Sequence, residues 1–410
     1  MGELKWGLLT VLAWRNLWRH PRRTIIMLAT ITLGVWMMLL TAAIMRGMVE
    51  QQITDTIANL TGHVQIHNPK YRDDPAIENS MSVKKSAIDS LLEDPEVKQL
   101  SMRIRLPAVV ASERETAGVT LVGIDPQREE GLSFIANAVY DGRYLKDSGD
   151  KGIIIGKHLA ERLETGLGKR IVLMSQDSDN QVADRGFRIV GLYRADLQAT
   201  EMAYAFTGLD TARAMLKMGE QVSEVALVSN NREDLGGLAQ RLKQKFPHME
   251  VKTWQELLPL LVSALTLYDN ILIIWYLIIF IAMSFGLVNT LLMAVFERTR
   301  EIGLFQALGM QPRFIIVQIL IESLILLSLG LLLGNLLSWG TILSLSGGID
   351  LSAFARGMEW VQIGSLLIPL LHVKDIVISN ALVIVLGLIA SLYPAVRAAR
   401  AVPVEAITRS

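Results

Sequence analysis

"VFERTREIGLFQALGMQ", residues 295–311, joins two stretches that want different solvents. Its front closes a long apolar run. Its body places Glu297, Arg298, Arg300 and Glu301 on a short helical stretch, and behind it the chain returns to another apolar run. About 20 apolar residues suffice to cross a bilayer as a helix. A charged helix held between two such runs is a loop that leaves a membrane and goes straight back in.

Working outward, four runs have the required length: residues 24–46, 270–296, 314–345 and 376–396. The first has no small-residue cleavage site close behind it and is long for a signal peptide, so it reads as a retained anchor. Across 410 residues the apolar share is 51% and the charged share 20%, which requires the apolar excess to be concentrated in segments. Net charge is zero, so no basic field argues for nucleic acid. With no cysteine, disulfides, thiolate metal sites and cysteine nucleophiles are excluded.

Basic residues set the orientation. Residues 1–23 carry Lys5, Arg15, Arg19, Arg22 and Arg23 against Glu3. Loop 297–313 carries Arg298, Arg300 and Arg313, and tail 397–410 carries Arg397, Arg400 and Arg409. These three pieces, with both termini, are expected on the cytoplasmic side. Segment 47–269 and loop 346–375 are expected on the far side. Leu4, Leu8, Val11, Leu12 and Trp18 fall near one helical face, with Lys5, Arg15 and Arg19 off it, which predicts a helix lying in the membrane interface. A plain basic anchor is the alternative.

Helical patterning continues past Met45 towards Leu60, and again from Trp254 into the second run, as two stalks. Between them, strand-like and helix-like stretches alternate. The expected fold is therefore an α-helical membrane protein with four transmembrane helices and a large α+β domain inserted between the first and second. That domain has two lobes, one from both ends of the insert and one from about residues 125–215.

Few residues suggest chemistry. "GIIIGKH" (152–158) has three residues between its glycines instead of four, and His158 where a phosphate loop needs Ser or Thr, so it reads as a strand-to-helix turn. His63 and His67 lie about 13 Å apart along a strand, too far for one metal. No catalytic residue, metal site or cofactor is expected in this chain. Inside the membrane, Glu322 sits about two turns into the third run, with Gln318 four residues before it. Such a group implies a function or a partner. Arg298, Asn289 or a second subunit can pair with it, while a transport role and snorkelling remain open. Gly330, Gly334, Gly340 and Asn335 suit close helix packing.

Three local sequences then resemble one family. "AWRNLWRHPRRT" (13–24), "ERTREIGLFQALGMQPRFI" (297–315) and "SLYPAVRAARAVPVEAI" (391–407) look like the opening, coupling-helix and closing segments of MacB/FtsX-superfamily ABC transporter permeases. The resemblance covers essentially the whole chain. It implies a bacterial inner-membrane protein with a periplasmic insert, paired with a second permease and with a cytoplasmic ABC ATPase. ATP and magnesium would be bound by that ATPase. No Walker motif occurs in the sequence, so the ATPase is expected as a separate polypeptide.

In such permeases the ATPase cycle moves the periplasmic domains without carrying substrate across the inner membrane, a mode called mechanotransmission. Ile302, Phe305, Ala307 and Leu308 would fill a groove on the ATPase, flanked by Leu304. Arg298, Arg300 and Glu301 would fix register, Gly303 would permit close approach, and Gly309 before Pro312 would end the helix. "GHVQIHNPKYRDDP" (62–75) is more like the LolC/LolE lipoprotein-releasing branch than the MacB efflux branch. That branch implies cargo drawn from membrane lipid along Trp36, Leu40, Ile44, Ile271, Ile274, Trp275 and Ile278, then handed to a periplasmic carrier. These residues can equally face bulk lipid or a dimer partner. An efflux permease working with an adaptor, or an FtsX-like regulator of an external hydrolase, are the alternative functions.

Overall fold

In the computed structural model, four helices among the described residues are long and apolar enough to cross a membrane: Pro21–Thr56, Pro259–Glu297, Pro312–Ser344 and Val373–Ala399. The described residues are 3–83, 85–195, 197–232, 234–307, 310–350 and 366–400. Three spanning helices begin on proline, whose missing N–H and fixed φ suit the first helical turn. The chain divides into two compact units. One is built from Met1–Glu50, Ala264–Leu351 and Leu366–Ser410, the other mainly from Gln51–Ser263.

In the first unit, small residues set how closely the spanning helices approach. A Cβ on Gly330 would lie 2.4 Å from Ile31 Cγ2, and one on Gly334 would lie 2.7 Å from Val35 Cβ. Gly387 stands in the same relation to Leu327. Gly340 has open space around it. Apolar side chains fill the rest, chiefly Ile31, Val35, Met38, Tyr276, Phe280, Met283 and Leu327. Asn335 donates to Asn380 Oδ1 at 3.1 Å, tying the third spanning helix to the fourth.

The N-terminal helix is Glu3–Arg19. Ala13 and Leu17 are buried, while Val11, Trp14 and Trp18 are exposed. Leu4 and Leu8 lie among residues whose side chains are not described. On the buried Ala13–Leu17 face, Asn16 donates to Glu322 at 2.7 Å. That bond gives a buried carboxylate a partner it would be costly to lack.

The second unit is built on one ten-stranded sheet. Its strands are β1 (Val64–His67), β3 (Val97–Ala111), β4 (Thr116–Ile124), β5 (Val139–Gly142), β6 (Gly152–Gly156), β7 (Arg170–Gln176), β8 (Val182–Tyr193), β9 (Tyr204–Gly208), β11 (Glu224–Ser229) and β12 (Glu250–Thr253). A short pair, β2 (Met81–Ser82) and β10 (Gln221–Val222), lies apart from it. The sheet runs β12-β1-β11-β3-β4-β9-β6-β8-β5, with β7 against both β3 and β8. β11, helix Leu235–Lys245 and β12 form the expected βαβ-like unit, but β1 is inserted between its strands. The two lobes correspond to separate apolar cores. Val64, Ile66, Val225, Leu238 and Val251 come from the ends of the insert, while Leu121, Ile153, Leu173, Phe187 and Leu216 come from its middle. The long strand β3 crosses from one core to the other.

Candidate functional site

The opening stretch folds as the end of the second spanning helix, a turn at Arg298, and helix Thr299–Ala307. Arg298 points inward. Its guanidinium donates to the Asn16 carbonyl at 2.7 Å and meets Glu322 at 3.3 Å. Glu322 also accepts from Asn16 and, at 3.4 Å, from Gln318. Two further pairs flank this centre: Arg19 with Glu301 at 2.7 Å, and Arg23 with Glu297 at 2.9 Å. A cavity of about 440 Å³ lies beside them, with Glu322, Arg298 and Gln318 in its wall and Leu12, Leu291 and Ile319 as apolar lining.

The geometry revises how the helix can be used. Ile302 packs with Val295, Ile315 and Ala398 of its own bundle, and Gly303 is buried. Gln306 donates to the Ala399 carbonyl at 3.1 Å. Arg298 and Ile302, expected at a partner's surface, are therefore committed within the protomer, because the bundle end must cover a buried carboxylate and an apolar gap. Arg300, Leu304 and Ala307 form the exposed stripe, spaced four and three apart as one helical face requires. Leu304 is 53% exposed. Leu308 and Gly309 lie outside the described residues, as does the side chain of Phe305. Asn289 is exposed, and Glu322 takes its partners elsewhere.

Two family models together span the chain. The MacB-like periplasmic core domain matches residues 24–245, and the FtsX-like permease C-terminal region matches residues 272–403. The chain belongs to the MacB/FtsX superfamily of ABC transporter permeases. Its relatives include the lipoprotein-releasing system transmembrane protein LolE of Haemophilus influenzae, 26% identical over 92% of both chains. LolC of Xylella fastidiosa is 25% identical over 92% of this chain and 91% of its own. The macrolide export ATP-binding/permease protein MacB 2 of Aeromonas hydrophila is 24% identical over 95% of this chain and 59% of its own length. The permease is an inner-membrane protein with a periplasmic core domain.

The seven residues expected along a cargo path fall into two groups in this permease. Ile271, Ile274, Trp275 and Ile278 form an exposed stripe on the second spanning helix. Trp36, Leu40 and Ile44 are half-buried on the first, and the Trp36 indole donates to Thr341 Oγ1 at 3.1 Å. In the periplasmic domain, "GIIIGKH" forms β6 and helix Lys157–Arg162, and His158 Nδ1 meets the buried Glu201 carboxylate at 2.5 Å.

One cluster was missed from sequence. Arg46 makes a two-pronged contact with Asp375 at 2.9 and 3.0 Å and reaches Asp269 at 2.5 Å. Each residue lies at the end of an apolar run, on the same expected side of the membrane. That coincidence was the available signal.

Proposed function

We propose that this permease is the membrane subunit of an ABC machine that extracts lipoproteins or other lipid-anchored cargo from the outer leaflet of the inner membrane by mechanotransmission. The observation that carries the reading is likeness to LolE and LolC along nearly the full length of both chains. Helix Thr299–Ala307 offers Arg300, Leu304 and Ala307 to a separate cytoplasmic ATPase, which binds ATP and magnesium. Both termini lie in the cytoplasm. A second permease, the same chain or a relative, completes the membrane part, and a periplasmic carrier receives the cargo. Ile271, Ile274, Trp275 and Ile278 meet the acyl chains.

The test is ATP turnover by the permease with its ATPase in lipid. An acylated lipoprotein should stimulate turnover and its unacylated form should not; equal stimulation by both would sink the proposal. Likeness to MacB 2 over 95% of this chain supports a second reading, efflux through an outer-membrane duct. That reading requires a periplasmic adaptor to co-purify. The docking surface is tested by Arg300→Glu with Leu304→Asp, which should abolish ATPase binding while leaving membrane insertion intact.

A further inference from the structure

Both ends of the periplasmic domain finish in carbonyls held by the wall of one pocket. After Thr56 the chain makes a π-turn, Ile57–Thr61, in which Leu60 has φ of 65°. The Leu60 carbonyl accepts from Arg103 at 2.5 Å, and the Thr61 carbonyl from Gln65 at 2.9 Å. On the return, helix Trp254–Leu257 breaks at Leu258, and Arg72 donates to the Leu257 carbonyl at 2.7 Å. A cavity of about 340 Å³ opens between these two joints, within the range of small-molecule pockets.

The sheet face lining it is polar. His67 on β1 stands opposite Glu224 on β11, which stands opposite Arg103 on β3, so all three project to one side. Arg105, two residues along β3, joins them. Arg103 is fully buried and balanced below the floor, bonding both oxygens of Glu129 at 2.6 and 3.1 Å and Glu224 at 3.3 Å. Arg105 is left with Glu224 only at 4.0 Å and with the Tyr204 hydroxyl at 3.1 Å. Arg72, at the mouth, is bonded to carbonyls. The cavity therefore meets two guanidinium groups and one carboxylate that Arg103 already holds. In its wall, His67 is fully buried with Nδ1 at 3.1 Å from the Asn68 carbonyl, while Nε2 has no partner among the described residues. Leu257 and Leu258 supply an apolar side.

We propose that this cavity binds a peptide-like carboxylate: an amino acid derivative or short peptide end carrying a free carboxylate and an apolar side chain. The carboxylate lies between Arg105 and Arg72, where charge-assisted bonds to guanidinium are strongest. The side chain rests on Leu257 and Leu258. Inorganic phosphate would fill the guanidinium corner and leave the leucine side empty. The site lies wholly within the periplasmic domain, so it stands or falls independently of the ATPase and cargo assignments.

The experiment is calorimetric titration of the full chain in nanodiscs, with empty nanodiscs as blank. N-acetyl-L-leucine should bind, and N-acetyl-L-leucinamide, lacking the charge, should bind at least about tenfold more weakly, since an ionic hydrogen bond contributes roughly that much. Arg105→Gln should remove the preference for carboxylate over amide. Failure of N-acetyl-L-leucine to bind, or equal affinity for the acid and its amide, overturns the proposal. Because that comparison uses the unaltered chain, a folding defect in the variant cannot obscure it.

Discussion

At Gly330 an added Cβ meets Ile31 at 2.4 and 2.7 Å, and the atoms it meets belong to a β-branched side chain that cannot swing away. Gly330→Ala must therefore push the first and third spanning helices apart, an overpacking cost of about 1–3 kcal/mol. Gly340→Ala, with nothing within 4 Å, should instead stabilise by up to about 1 kcal/mol through helix propensity. Opposite shifts of the thermal midpoint in detergent check the pair. His63 makes a second residue-scale test. Burial, with Arg232 adding to it, pushes its imidazole down to about 4, and Nδ1 accepts the Ser229 N–H at 2.9 Å. The unfolded chain takes up this proton near pH 6.5 and the folded chain does not until about 4. Stability is thus intact above about pH 6.5 and falls as the pH drops towards 4, by about 3 kcal/mol at most from this group. His67, also lowered by burial, adds in the same direction. His63→Gln should flatten the slope of stability against pH in that window.

Arg46 fastens three helices at once, and its aspartates differ in exposure: Asp375 is nearly buried, whereas Asp269 is half open. Removing the guanidinium leaves Asp375 without its counter-charge, so Arg46→Met should cost about 3–5 kcal/mol. Arg46→Met with Asp375→Leu should cost less than Arg46→Met alone, because the double change removes the stranded charge as well. Unfolding of both variants in detergent decides it. This clamp also shows what sequence can carry at the scale of elements. The four apolar runs were legible because burial in lipid leaves a long, unbroken signal. Gly330 and Gly334 were legible as packing positions because so few residue types permit close approach. The partners of Arg46 were not, since a contact between residues 46 and 375 has no local pattern. The turn of helix Thr299–Ala307 was misread for a related reason. Its apolar residues satisfied an amphipathic pattern, but nothing local reveals that Ile302 faces Ile315 and Ala398 instead of a partner. The bond from Asn16 to Glu322, more than three hundred residues away, likewise has no local pattern.

For the whole molecule, the chain leaves the regular helix at two places between the spanning helices and the periplasmic sheet, Ile57–Thr61 and Leu257–Pro259. The first ends a helix and the second separates two. Leu258 leaves the helical region, with φ of −126° and ψ of 61°, as a residue before proline is driven to do. An interrupted helix transmits torque only if its free carbonyls are held, and here Gln65 and Arg103 hold one joint while Arg72 holds the other. Arg72→Met should therefore release the return joint without disturbing the sheet. Hydrogen exchange at amides 255–262 should quicken by about tenfold or more, matching loss of an ionic hydrogen bond of at least about 1.5 kcal/mol. Amides of β3 and β11 should keep their protection. If mechanotransmission runs through this joint, cargo-stimulated ATP turnover falls in the same variant while ATPase binding is retained. Faster exchange with unchanged stimulation would show that the stroke reaches the domain by another route.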